Sequence, residues 1–156
     1  MVAACTLEIA TERSSEEAVA LLSRFFEEED FPTPPARIDL NLRAMLADAA
    51  CWCALARCEG EAVGVVTVST MRYVEQGLLG EVGDLYVLPG HRGRGAARLL
   101  LAEAMAWCRG RGCSAVCVTI TPEGEARHRL SSFYARLGFQ ATGRTIWSTR
   151  LAPNLR

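Results

Sequence analysis

The sequence predicts a mixed α/β fold of the α+β kind, formed by a single domain over residues 1–156. Strand-like apolar runs and segments of helical periodicity follow one another in the order βααβββαβαββ. A glycine-rich loop joins a strand to a helix between residues 81 and 111. No linker, internal repeat or low-complexity tract divides the chain, and its length suits one domain. We therefore expect one mixed sheet flanked by about four helices.

The composition excludes several classes of protein. The chain is 50% apolar with a net charge of −1, which argues against a disordered chain and against a nucleic-acid binder. No apolar run reaches the roughly 18 residues of a membrane span. We expect a cytoplasmic protein with neither a nucleic-acid nor a membrane partner, and a homodimer stays open.

The seven cysteines are an odd number and follow no signal peptide, which argues against a disulfide framework. Their spacings do not match a zinc site and no histidine accompanies them, so no metal is expected. We expect most of them to be small core side chains in a reducing cytosol.

The first fifty residues predict one strand and two helices. Residues 6–10 alternate in the manner of a strand. Ser14 then resembles a helix N-cap, and the helix that follows ends in the acidic run at residues 27–30, before a proline-rich loop. Apolar residues at helical spacing predict a second helix over residues 38–50.

Two apolar runs follow, at residues 51–58 and 62–71, and a Glu-Gly-Glu turn joins them. Their composition predicts an antiparallel hairpin. Residues 75–80 are predicted to be a looser segment that leads into the next strand.

The stretch from Glu81 to Arg111 organises the rest of the chain. It opens as a strand, breaks at Pro89, crosses the loop Arg92–Gly95 and continues as an Ala- and Leu-rich helix. A strand, loop and helix in this order direct main-chain N–H groups and the positive end of a helix dipole at one point. We therefore expect an anionic phosphate to bind there.

The end of the chain predicts a buried strand, a loop, a helix, two short strands and a loose tail. These segments span residues 114–121, 122–125, 126–137, 139–142, 144–151 and 152–156.

The glycine loop carries a family resemblance. Arg92, Gly95 and Ala97 match [QR]-x-x-G-x-[GA], the acetyl-CoA signature of the GNAT-type N-acetyltransferases. A second segment, Phe133-Tyr134 through Gly138-Phe139, resembles that family's FYxxxGF motif. The resemblance implies a sheet splayed between strands four and five, acetyl-CoA as co-substrate, and direct transfer to an amine without an acyl-enzyme.

The resemblance also assigns site residues. Tyr134 is implied as the general acid that protonates the thiolate of CoA, and a phenol with a pKa near 10 suits that role. The residues expected to bind the cofactor are Leu85, Tyr86, Val87, Arg92, Gly93, Arg94, Gly95, Ala96, Ala97 and Arg98.

Two carboxylates are candidates for the general base, which must take a proton from the ammonium of the acceptor. Glu81 has the offset from Arg92 of the catalytic glutamate in histone-acetylating relatives, and Asp84 stands where aminoglycoside 3-N-acetyltransferases carry an aspartate. Strict alternation would place the two on opposite faces, but a β-bulge in this strand would shift the register by one residue. We favour Asp84, and either carboxylate could instead anchor the substrate.

The acceptor is predicted from the acidic residues Glu28, Glu29 and Asp30, which would attract a cationic substrate or would form only a solvated helix end. We expect a small polycationic amine such as an aminoglycoside antibiotic. The alternatives are another small amine or amino acid, and a protein N-terminus or lysine. A CoA-binding sensor without catalytic activity is a further alternative, and it would be expected to lack Tyr134.

Overall fold

The computed structural model describes residues 5–151, and the chain divides into two compact units, Met1–Thr119 and Ile120–Arg156. The elements of the first unit are β1 (Thr6–Ile9), α1 (Ser15–Glu28), α2 (Pro35–Leu46), β2 (Cys51–Cys58), β3 (Glu61–Tyr73), β4 (Gly77–Val87), α3 (Ala96–Gly110) and β5 (Ala115–Val118). The second unit contains α4 (Pro122–His128) and α5 (Leu130–Ala135). Within residues 5–151 no helix is long and apolar enough to cross a membrane.

The five strands form one sheet in the order β1-β2-β3-β4-β5. The first four pair antiparallel, and β5 pairs parallel to β4 after the crossover through α3. The predicted mixed fold is therefore confirmed. The predicted hairpin is also correct, since β2 and β3 are joined at Glu59 and Gly60, with φ of 54° and 87°. Positive φ at both central residues suits a tight turn between twisted strands.

The two faces of the sheet are covered by different helices. On one face the apolar side of α1 and α2 packs on strands β2 to β4 and forms a buried cluster. The members of this cluster are Ala10, Ala18, Leu21, Leu22, Ile38, Leu42, Cys53, Leu55, Val65 and Tyr86. On the other face lies α3, whose Trp107 stacks on Trp52 of β2 with ring centroids 6.0 Å apart. This cluster therefore packs α1, α2 and the strand β4 against one another.

The sheet opens between β4 and β5. Their ladder joins Leu79–Val82 to Ala115–Val118, whereas β4 continues alongside β3 as far as Val87. Within residues 5–151 the last residues of β4 therefore have a strand partner on one side only, which is the expected splay. The strand predicted over residues 114–121 is shorter than expected, and it is partly exposed because β5 is the outer strand of this sheet.

Several predicted boundaries in the first unit were wrong. The helix α2 begins at Pro35 and not at residue 38, because proline has the φ of a helix and occupies the first turn, where its missing N–H costs nothing. It ends at Leu46, four residues before the predicted end. The segment predicted to be loose, residues 75–80, mostly belongs to β4, which pairs with β3 from Gly77 onward.

The predictions for the second unit were less accurate. Residues 122–125 are not a loop, because Thr121 caps α4 by accepting a hydrogen bond from the N–H of Gly124 at 3.0 Å. The predicted helix over residues 126–137 is broken at Arg129, which has a φ of 53°.

The two strands predicted at residues 139–142 and 144–151 are absent from the described part of the chain. A strand needs a hydrogen-bonded partner, and alternation of side chains does not supply one. Residues 152–156, predicted as a tail, lie outside the described residues.

One cysteine pair departs from the expectation that most of the cysteines are small core side chains. Cys5 and Cys58 form a disulfide across 53 residues of sequence. The pairing of Thr6 with Arg57 in the β1–β2 ladder explains it, because one further step places Cys5 opposite Cys58, with Cα atoms 4.3 Å apart. Cys53 and Cys108 are free and buried, as expected of small core side chains.

Candidate active site

The glycine loop has the predicted geometry. After β4 ends at Val87, a short 3-10 turn leads to Arg92, and the chain then reaches α3 through Gly93 and Gly95. These two glycines have φ of 73° and 91°, in the left-handed region that other residues rarely adopt. Within residues 5–151, a Cβ placed on either glycine would meet no atom within 4 Å apart from those of its two chain neighbours. The main chain of the loop is therefore open to an approaching ligand.

The loop ends at the N-terminus of α3, a helix of 15 residues. The N–H groups of Ala96, Ala97 and Arg98 have no partner within the helix, and the N-cap residue Gly95 supplies no side-chain cap. The positive end of the helix dipole lies at the same place, and the side chains of Arg94 and Arg98 are exposed beside it. This combination suits a diphosphate group.

The strand β4 carries the predicted bulge. Val68 of β3 pairs with Val82, but the next residue, Thr67, pairs with Asp84, so that Gly83 is an extra residue in β4. The bulge shifts the alternation by one and places Glu81 and Asp84 on the same face of the sheet, the face covered by α1 and α2.

Thr67 holds the Asp84 carboxylate in place. Its hydroxyl donates to Asp84 Oδ2 at 2.6 Å, and the main-chain N–H of Asp84 donates back to Thr67 Oγ1 at 3.0 Å. Burial raises the pKa of Asp84 above its usual value, although the hydrogen bond from Thr67 opposes that shift. A raised pKa makes the ionised carboxylate a better proton acceptor.

Asp84 lines a cavity of about 140 Å³. The cavity lies between the two helices and the sheet, with walls formed by Leu22, Phe26, Ile38, Asn41, Leu42, Met45, Thr67 and Asp84. Asp84 is the only ionisable side chain in this lining, within residues 5–151. Glu81 is outside the lining, and its Oε1 accepts a hydrogen bond of 3.3 Å from the Thr119 hydroxyl. The cavity therefore offers one carboxylate among largely apolar walls.

The open edge of β4 adjoins this cavity. The N–H of Leu88 donates to Val63 of β3 at 2.9 Å, so the antiparallel alternation directs the main chain of Leu85 and Val87 away from β3. On that side the ladder with β5 has already ended at Val82. Among the described residues, no strand pairs with this edge beyond Val82, so an extended ligand could pair with it there.

The sequence profile of the acetyltransferase (GNAT) family matches residues 15–139. The chain belongs to the GNAT acetyltransferase family. The match includes the glycine loop, the bulged strand and the Phe133-Tyr134 segment.

One relative matches half of this GNAT chain in sequence. Glucosamine 6-phosphate N-acetyltransferase 1 of Oryza sativa subsp. japonica is 36% identical over 78 residues, which cover 50% of this chain and 44% of that relative.

Two solved structures are similar over nearly the whole chain. An integron cassette protein from the mobile metagenome of Cole Harbour Salt Marsh is 26% identical with a TM-score of 0.82, and covers 96% of this chain and 92% of its own. The aminoglycoside acetyltransferase AAC(6')-Iy, solved with a CoA-linked bisubstrate analogue, is 20% identical with a TM-score of 0.82, covering 96% and 99%.

Tyr134, expected from the GNAT motif, lies in the second unit on α5. Its side chain is buried, and its ring contacts those of Phe133 and Phe139 with centroid distances of 5.1 and 5.3 Å. Burial raises the pKa of Tyr134 to about 12. The phenol therefore stays protonated at neutral pH, as a general acid must while it waits.

The acidic residues predicted to bind the substrate have structural partners of their own. Glu28 accepts hydrogen bonds from Arg92 and Tyr86, and Glu29 is buried at the end of α1. Asp30 follows with a φ of 57°. These residues do not form a row of equivalent exposed carboxylates, and their binding of an acceptor stays a prediction.

Sequence reasoning missed the parts of the site that depend on pairing and packing. Thr67 and Asn41 were not singled out, and neither was the link between Glu28 and Arg92. For Thr67 a signal existed, because it is a single polar residue in the valine-rich stretch of β3. A buried polar residue usually has a hydrogen-bond partner, which here is Asp84.

Proposed function

We propose that this GNAT chain transfers the acetyl group of acetyl-CoA to a primary amine by direct attack of the amine on the thioester. The observation that carries the proposal is the position of Asp84, a carboxylate with a raised pKa in a small cavity beside the open edge of β4. The segment from β4 to α3 then carries all three parts in order. Asp84 would accept the proton, the edge of β4 would pair with the donor, and the glycine loop would bind its phosphates.

The donor would be held by main-chain groups. The loop glycines and the first N–H groups of α3 suit the diphosphate of CoA, with Arg94 and Arg98 adding positive charge. The main chain of Leu85 and the N–H of Val87 suit the amide groups of the pantetheine arm, which would pair with them as a strand does, whereas the Val87 carbonyl already accepts a hydrogen bond from Arg92 Nε. The solved complexes of AAC(6')-Iy with CoA support this choice of donor.

Asp84 would take the proton from the acceptor ammonium, since the amine must be neutral to attack. Thr67 would keep the carboxylate oriented. Glu81 is the second candidate for the base and would act through water. Burial, with a further contribution from the charge of Asp84, raises the pKa of Cys53 to about 12. That thiol therefore stays protonated, which argues against an acyl intermediate on Cys53.

Replacing Tyr134 with phenylalanine is expected to lower kcat about ten- to a thousandfold, because the departing thiolate loses its proton donor. Binding of acetyl-CoA, followed by calorimetry, should change little, since only one hydroxyl is removed. Phe133→Leu on the same helix is the matched control for packing. Equal turnover in wild type and Tyr134→Phe would leave Tyr134 as a packing residue only.

The first candidate for the acceptor is a small polycationic amine such as an aminoglycoside. The exposed acidic residues Glu27 and Asp30 at the end of α1 and the likeness to aminoglycoside acetyltransferases support it. The second candidate is a small amine with one ammonium on an apolar body, because the cavity that holds Asp84 has mostly apolar walls. A protein N-terminus or lysine is the third.

A panel of amines assayed by CoA release tests these candidates. If the acceptor is polycationic, aminoglycosides should be acetylated fastest, and their KM should rise with salt while kcat changes little, because salt screens attraction to carboxylates. Amines with a single charge and an apolar body should show little salt dependence. Acetylation of peptides alone would exclude the first candidate. Binding of CoA without turnover of any amine would favour the non-catalytic sensor.

A further inference from the structure

A set of short contacts ties the end of α1 to the glycine loop. Both oxygens of Glu28 accept hydrogen bonds from Arg92 Nη2, at 2.7 and 2.9 Å. The hydroxyl of Tyr86 donates to Glu28 Oε2 at 3.1 Å. Arg92 Nε donates to the carbonyl of Val87 at 2.9 Å. The first residue of the GNAT signature is thus held by a helix that lies 64 residues earlier in the chain.

The ring of Tyr86 completes this arrangement. It stacks on Phe25 of α1, with centroids 5.5 Å apart and an angle of 29° between the planes. The Arg92 guanidinium carbon lies 5.5 Å from the centroid of the same ring. Tyr86 therefore contacts the helix through both its ring and its hydroxyl, and Arg92 contacts it from the loop.

The ion pair contributes little to stability for its own sake. The side chains of Arg92 and Glu28 are 40% and 28% exposed, so water and salt screen their attraction. Its geometry is nevertheless specific, because one nitrogen of Arg92 is held by Glu28 and another by the main chain that ends β4. A contact with specific geometry but a small contribution to stability is suited to orienting the glycine loop that follows Arg92.

The segment that follows needs such orientation. Gly93 and Gly95 have little intrinsic preference for their observed conformation, and a flexible loop loses conformational entropy when it binds a ligand. If Arg92 is held in place, the loop that follows it has less conformational entropy to lose when the ligand binds.

We propose that Glu28 is a positioning residue for the donor, which holds Arg92 against Val87 and so sets the conformation of the glycine loop that binds acetyl-CoA. The proposal rests on the proposed acetyltransferase function. It differs from the expectation that Glu28 meets the cationic acceptor, because both carboxylate oxygens are already engaged by residues of the donor side. The two roles affect different constants, namely the affinity for acetyl-CoA and the KM of the amine.

Calorimetric titration with CoA in the absence of any amine tests the proposal. Glu28→Gln should weaken CoA binding about five- to twentyfold, which corresponds to one lost charge-assisted hydrogen bond. Glu16→Gln is the matched control, since it removes the same charge from an exposed position near the other end of α1. The affinity of this variant for CoA should stay within about twofold of the wild-type affinity. Arg92→Gln and Glu28→Gln together should cost less than the sum of the two changes, because they break the same contact.

Steady-state kinetics separates positioning from general damage to the fold. In Glu28→Gln the KM for acetyl-CoA should rise, and kcat should return to the wild-type value once acetyl-CoA is saturating. Equal CoA affinity in wild type and Glu28→Gln would overturn the proposal, as would a rise confined to the KM of the amine. Wild-type protein that binds no CoA would remove the proposed function, and this inference with it.

Discussion

Replacing Asp84 with asparagine is expected to lower kcat by a factor of about 100 to 10,000, because the amide keeps the size of the carboxyl group and cannot accept the proton of the ammonium. The pH profile supplies a second signature. Wild-type kcat should fall as Asp84 is protonated, and since burial raises its pKa, the fall should occur at a higher pH than for an ordinary aspartate. That limb should be missing from the variant.

Stability measurements on Asp84→Asn test whether the lost activity is due to unfolding of the variant. A carboxyl whose pKa is raised on folding destabilises the folded state at neutral pH, and this cost disappears as the pH falls below its unfolded pKa. The asparagine variant should therefore keep or raise the Tm at neutral pH. Glu81→Gln is the matched control on the same strand. If Glu81→Gln lost turnover and the acidic limb while Asp84→Asn kept both, Glu81 would be the base.

Replacing Gly95 with valine is expected to weaken acetyl-CoA binding by about 100-fold or more, which equals the loss of two hydrogen bonds to a charged group. A side chain at this position would project away from the loop, because in the described part of the chain its Cβ has no contact within 4 Å beyond its chain neighbours. It would also strain the main chain, because the φ of Gly95 is 91°. Calorimetry with CoA measures the loss.

Two further variants distinguish the steric effect of the valine side chain on the ligand from the strain that it causes in the main chain. Gly112→Val places the same side chain on a glycine with a φ of 83°, also without neighbours within 4 Å, just beyond the opposite end of α3. It should lower the Tm as Gly95→Val does and leave CoA binding nearly unchanged. Gly95→Asn should be strained less, because asparagine tolerates the left-handed region, and should still bind CoA poorly. Wild-type affinity in Gly95→Asn would show that the loop does not approach the ligand closely.

Local sequence signals predicted the parts of the site that neighbouring residues determine. The loop Arg92–Gly95 is predicted because its glycines follow a strand and let a ligand approach the main chain. The turn at Glu59 and Gly60 is predicted because it joins two apolar runs. The shared face of Glu81 and Asp84 was predicted only through the family's known bulge, since alternation alone gives the opposite answer.

Features that depend on distant residues were not predicted. The disulfide between Cys5 and Cys58 depends on the register of β1 against β2, and the contact of Glu28 with Arg92 depends on how α1 packs on the sheet. The acidic run was therefore interpreted by its charge alone, without the partner that Glu28 has in the fold. The last predicted strands failed for the related reason that strand propensity does not supply a pairing partner.

The extra residue Gly83 also determines where β4 could lose a residue without turning its later side chains to the opposite face of the sheet. In a regular strand, loss of one residue turns every later side chain to the opposite face. Loss of Gly83 would not, because Val82 and Asp84 already occupy neighbouring rungs opposite Val68 and Thr67. A chain shortened at this position would keep Asp84 facing α1 and α2, but it would lose the added bend that a bulge gives to a strand. The bulge lies directly after Val82, where the ladder with β5 ends, so the bend expected of a bulge coincides with the point at which β4 and β5 separate.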